Sequence, residues 1–258
     1  MLTTSVLIVL HEVLEAAFMV GALLALTRSL RMPASWALRS LLIGFSAALL
    51  YGYVLRQAAT FFGGVGQEAI NVTLQVVSCT ALLICVYLGA REPFGQARQS
   101  NLLPIAMTTA VAAAVALEGS EIFVYVAGFI RADSSIASAS IGSLAGLCIG
   151  ISIGVLFYHL LQLLSPSKSR VLILFFIILV GTGMSAQATR ELIQAHWLVV
   201  GNPLWDSSWL LPEESILGHV LYALGGYEAT PTAVAVWIYA ATLAIMIGAL
   251  LLGRRFRH

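Results

Sequence analysis

Seven long stretches of almost unbroken apolar residues alternate with short polar breaks along this chain. They cover roughly residues 4–27, 38–60, 69–90, 103–130, 136–164, 170–195 and 232–253. Each is about as long as the ~20 residues an α-helix needs to cross hydrocarbon. Backbone N–H and C=O groups in lipid must pair within their own segment, so the stretches are predicted to be helices. The breaks carry turn and charge signals: Arg28-Ser29-Leu30-Arg31-Met32-Pro33, Gly63-Gly64-Val65-Gly66, Arg91-Glu92-Pro93, Arg131-Ala132-Asp133 and Ser165-Pro166-Ser167-Lys168. Residues 196–231, with Pro203, Pro212 and Pro231, form the one long connection. The expected fold class is an all-α integral membrane protein of seven transmembrane helices, a single domain over 1–258.

Composition agrees with this pattern. Of 258 residues, 60% are hydrophobic and 10% charged, against roughly 25% charged in a soluble domain. Mean hydropathy is +0.95. The first apolar stretch lacks a basic leader and is interrupted by His11, Glu12 and Glu15, so it reads as a retained helix and not a signal peptide. Cys79, Cys85 and Cys148 form no C-x-x-C pair and read as small core residues. A net charge of +1 without a basic run offers nothing to nucleic acid.

Charge supplies an orientation. In a seven-helix layout, the breaks on the C-terminal side hold Arg28, Arg31, Arg39, Arg91, Arg98, Lys168, Arg170, Arg254, Arg255 and Arg257, and the other side holds only Arg56, Arg131 and Arg190. That bias puts the C-terminus in the cytoplasm and the N-terminus outside. Acids run the other way: Glu68, Asp133, Glu191, Asp206, Glu213, Glu214 and Glu228 fall outside, and Glu92 inside. An acidic vestibule that concentrates cations is one reading, a merely solvated loop the other. Trp197, Trp205 and Trp209 in the long outer loop read as interface anchors, and Arg190 and Glu191 as interfacial charges. His159 reads as a packed histidine.

Four glutamates interrupt the apolar segments. Glu12 and Glu15 lie in the first, Glu118 and Glu121 in the fourth. A carboxylate at mid-bilayer costs at least ~2.5–3.5 kcal/mol, so such residues are functional candidates by default. Residues three apart share a helix face, so each pair projects together. Ala16, Ala17, Gly119 and Ser120 are small enough to let the first and fourth helices approach closely. A crossing there would gather four carboxylates, whose repulsion and desolvation a bound cation relieves. Oxygen ligands suit hard cations, ferric iron among them. His11 points roughly 100° away from Glu12 and is expected to support the site from behind.

The pairs also align as a repeat. Gly21-Ala22 follows the first pair and Ala127-Gly128 the second, each six residues on. Three spans separate the copies, an odd number, so they run antiparallel. A 3+3 inverted repeat plus one helix is expected, with the substrate near mid-membrane at the repeat interface.

On these residues the chain resembles the oxidase-dependent high-affinity iron permease family, comprising the fungal iron permease and bacterial relatives. That family carries Arg-Glu-x-x-Glu in its first and fourth helices. The Gly142-Ser143-Leu144-Ala145-Gly146-Leu147 stretch is similar to its fifth-helix pattern. Leu204-Trp205-Asp206-Ser207-Ser208, with Gly218, Gly225-Gly226-Tyr227 and Pro231, is similar to the loop before its last helix. His11 and Leu117 stand where relatives keep arginine, so the carboxylates have less positive compensation. Glu68 falls where relatives open the third helix with an acidic pair, with Asn71 at the second position.

The resemblance implies a permease that moves iron into the cytoplasm as its substrate, with no permanent cofactor. Glu12, Glu15, Glu118 and Glu121 would form the core site, and His11, Glu68 and Asp206 would contribute around it. It also implies that ferrous iron is oxidised first, by periplasmic iron-binding or cupredoxin-like ferroxidase partners, and that the chain is a multi-pass protein of the bacterial inner membrane. A proton-coupled carrier of manganese or lead is the alternative. An intramembrane metalloprotease is remote, because His11-Glu12-Val13-Leu14-Glu15 lacks the second histidine of H-E-x-x-H.

Overall fold

The computed structural model describes residues 2–58, 64–92, 101–131, 136–163, 166–199 and 201–256. These form eight α-helices: α1 (Leu2–Ser29), α2 (Ser35–Ala58), α3 (Gly66–Arg91), α4 (Leu102–Arg131), α5 (Ile136–Gln162), α6 (Pro166–Gln194), α7 (Ile216–Gly225) and α8 (Ala233–Arg255). Seven of them, α1–α6 and α8, are long and apolar enough to cross a membrane. The chain is a multi-pass membrane protein. The breaks expected at Gly63, Pro93, Ala132-Asp133 and Ser165, and the charges Arg98, Asp133 and Arg257, lie outside the described residues.

The eighth helix departs from expectation. Residues 196–231, with their three prolines, are expected to form a connection, yet α7 lies inside them. The Ser215 hydroxyl accepts the Gly218 N–H at 3.0 Å and starts the helix, and Gly226 at φ 67° ends it in the left-handed region. At ten residues α7 is too short to span. It lies on α6 and α1. Glycine is required at Gly226 for a second reason: a Cβ there would meet the Gly183 Cα at 2.9 Å, so the end of α7 sits directly on the α6 backbone. The flanking loop folds back on itself. Leu204 N–H donates to Pro231 O and Ser207 N–H to Ala229 O, each at 2.9 Å, and Tyr227 OH donates to Leu211 O at 3.0 Å.

Two long helix pairs dominate the packing: α1 runs along α5, and α2 along α4, with α3 on α6 next. Small residues make both contacts possible. On α5, a Cβ at Gly146 would meet Val6 O at 2.6 Å, and one at Gly154 would meet Ala17 Cβ at 2.7 Å. On α2, a Cβ at Gly44 would meet Val115 Cβ at 2.7 Å. Gly119 faces Ala48 of α2 in the same way, at 2.9 Å. Two of the four small residues beside the glutamates, Ala17 and Gly119, thus serve a different purpose from the one expected. Ala17 and Gly119 let α5 and α2 approach, because they lie on faces turned away from the α1–α4 contact.

The core runs through Leu14, Phe18, Leu23 and Leu26 of α1, Leu82 and Cys85 of α3, Met107 of α4 and Ile173 and Ile177 of α6. α4 and α6 are the most enclosed spans, and α8 and α2 the least. Large side chains such as Leu38, Phe45 and Leu156 lie exposed on outer faces, as lipid contact requires. His159, expected to be packed, is also exposed there. The three cysteines are free. Near the start of α6, Arg170 is buried and donates to the carbonyls of Gly89 and Glu92, tying α6 to the end of α3.

Candidate metal site

The first glutamate pair projects from α1 because the surrounding helix offers it one non-lipid face. Val9, Val13 and Leu14 bury themselves beside it. Glu15 and Glu118 are buried, 3% and 5% exposed, and Glu12 is half-buried. Carboxylate oxygens of Glu12, Glu15 and Glu118 lie within 4.8 Å of one another. Glu12 and Glu118 thus approach each other across the α1–α4 contact. Glu121 is not part of this group of three. It lines the same cavity of about 540 Å³, together with Glu68.

Three further elements, α3, α6 and α7, complete the walls. From α6, Gln187 donates its amide to a Glu15 oxygen, while its own carbonyl oxygen is buried without a hydrogen-bond partner. The Gln75 carbonyl oxygen on α3 is likewise buried and unpaired. Asn71, also on α3, donates to Glu191 at 3.1 Å and accepts from Tyr51 OH at 2.7 Å. Gln187, Gln75 and Asn71 all line the cavity. Carboxyl and amide oxygens dominate the lining, with the His11 imidazole beside them and no cysteine among the lining residues, a donor set suited to a hard cation.

His11 lines the cavity as well. Its partner is Glu15, one turn on, with Nε2 3.4 Å from Oε1. Its ring stacks on Tyr222 of α7, with centroids 4.9 Å apart, and meets the edge of His219 at 5.0 Å. Arg190 and Glu191, read from sequence as interfacial charges, line the cavity instead. The last turn of α6 abuts α1 and α7, so its charges face inward. Asp206 is not among the lining residues. It is exposed, and the hydroxyl and amide N–H of Ser208 hold its carboxyl below the usual range. Trp197, Trp205 and Trp209 are exposed.

The sequence reading missed Gln75, Gln187 and Tyr222. Gln75 and Gln187 had a signal: each is a carboxamide in an apolar span, where an unsatisfied polar group is costly. Tyr222 had none beyond the Ser215 and Gly226 caps that mark α7 as a helix.

A family model described as the Iron permease FTR1 family matches residues 96–257. The chain belongs to this iron permease family. The matched stretch covers α4 to α8 and includes Glu118 and Glu121; Glu12 and Glu15 on α1 precede it. Comparison with curated proteins and with solved structures found no match. The chain is accordingly an iron-transport protein and not an enzyme, and iron is its substrate. In this iron permease Glu118 and Glu121 of the matched stretch line the same cavity as Glu12 and Glu15.

Proposed function

We propose that iron crosses the membrane through the site formed by Glu12, Glu15 and Glu118, with Glu121 beside them. The observation that carries this reading is the convergence of three carboxylates from two helices within 4.8 Å, inside a cavity of an iron permease. Iron approaches past Glu68 and Glu191 at the start of α3 and the end of α6, binds the carboxylates, and leaves toward the end where Arg170 ties α6 to α3.

Motion between two halves supplies the alternating access. The pairing of α1 with α5 is mirrored by that of α4 with α2, as expected if α1–α3 and α4–α6 are inverted copies. Small residues spaced by four on α2 (Gly44, Ala48) and α5 (Gly150, Gly154) support the same relationship. The basic bias of the breaks supports an N-terminus outside and a C-terminus in the cytoplasm. In a bacterial inner membrane the cavity then faces the periplasm. A ferroxidase or periplasmic iron-binding partner oxidises ferrous iron before passage, and the predominantly carboxylate lining favours the ferric product. Asp206 sits in the outer loop as a first contact for arriving iron.

The test is radioactive iron uptake in a strain lacking its own iron importers. Glu118→Ala abolishes uptake while expression and membrane insertion stay normal. Uptake that survives in alanine variants of all four glutamates refutes the reading. Competition by manganese and lead in the same assay separates iron from other divalent substrates.

A further inference from the structure

The cavity is lined by six carboxyl side chains, those of Glu12, Glu15, Glu68, Glu118, Glu121 and Glu191. Among the described lining residues one side chain is permanently cationic, Arg190. Its guanidinium lies over the Tyr222 ring, 4.9 Å from the centroid. The same ring stacks on His11, which touches Glu15. On the outer side, Arg190 Nη2 is 3.8 Å from Glu228 Oε1, and both side chains are partly exposed. Arg190 therefore lines the cavity that holds the buried carboxylates while pairing with Glu228 at its edge, and an aromatic face holds it in place.

We propose that Arg190 is an exchangeable counter-charge that sets how tightly the site holds its cation. This rests on reading the carboxylates as the cation site. Without metal, the guanidinium supplies positive charge to the carboxylates. An entering cation repels it toward Glu228, and the two positive charges then compete for one set of anions. The competition weakens binding, and a transport site must bind loosely enough to release. Arg190 is a positioning and affinity-setting residue and not a ligand. The opposed action of Glu228 distinguishes this role from simple packing.

The test measures Mn²⁺ binding to the purified full-length protein in detergent, with free Mn²⁺ read by electron paramagnetic resonance, alongside iron uptake in cells. Arg190→Gln is expected to bind Mn²⁺ roughly tenfold tighter or more, as removal of a nearby unit charge predicts, while iron uptake falls because release slows. Arg190→Lys keeps the charge and binds close to wild type. Glu228→Gln removes the outer partner and weakens binding, and it has no effect in the Arg190→Gln background. Binding that is unchanged or weaker in Arg190→Gln overturns the proposal. So does a lysine variant that tightens as much as the glutamine one, or a Glu228→Gln effect that persists without Arg190. If wild-type binding does not depend on Glu118, the carboxylate reading falls and the proposal with it. If binding depends on Glu118 but not on Arg190, the counter-charge alone falls.

Discussion

The Gln187 side-chain amide donates to the Glu15 carboxylate and joins α6 to α1 across 172 positions of the chain. One glutamine thereby anchors a buried acid, while its own carbonyl oxygen is buried and unpaired beside the cavity. A hydrogen bond to a charged group contributes about 1.5–3 kcal/mol. Gln187→Leu removes both the donor and the oxygen, so Mn²⁺ affinity is expected to fall at least tenfold. Equal affinity in the leucine variant and wild type would contradict this role.

The four glutamates are not equivalent. Glu12, Glu15 and Glu118 have oxygens within 4.8 Å of one another, close enough to share one cation, and Glu121 stands outside that group in the same cavity. Glutamine substitutions at 15 and 118 should therefore abolish high-affinity metal binding, and Glu121→Gln should lower the uptake rate more than the affinity. Titration of each variant with Mn²⁺, paired with uptake kinetics, checks the ranking.

Close contact between α1 and α5 makes a steric prediction. A methyl group at Gly146 would press on Val6 O and Leu10 N, whereas one at Gly248 on α8 meets nothing within 4 Å. Overpacking of this kind costs about 1–3 kcal/mol. Thermal unfolding in detergent should show Gly146→Ala clearly destabilised and Gly248→Ala unchanged.

Thr27 ties α1 to the start of α2. Its hydroxyl accepts the Trp36 indole N–H at 3.0 Å and donates to Leu23 O at 2.8 Å, all buried. Valine has the same shape but leaves the indole donor unsatisfied, at about 1–3 kcal/mol. Thr27→Val should lower the unfolding temperature, whereas Thr27→Ser, which keeps the hydroxyl, should recover most of it.

The apolar runs were legible because a membrane span must satisfy its own backbone, and that makes length and hydropathy nearly sufficient. The glutamates were legible because a charge in such a run is expensive and a spacing of three puts two of them on one face. His11 was read against its neighbour Glu12, yet the relation that matters is to Glu15, one turn on. α7 was hidden because ten residues give too little apolar pattern to outweigh three prolines around them.

Which faces meet was not legible. Arg190 and Glu191 look interfacial by position, and only the packing of the last α6 turn against α1 and α7 turns them into the cavity. Ala17 and Gly119 sit beside the glutamates, but they serve α5 and α2. By itself, the sequence determined the spans, the family resemblance and the paired acids, since these follow from local period and from the cost of charge in hydrocarbon. The tertiary structure decided that three of the four acids converge, that Gln187 holds one of them, and that Arg190 is the cation facing them. Those facts depend on helix rotation and contact between segments far apart in the chain, and helix faces equally apolar in composition leave both open.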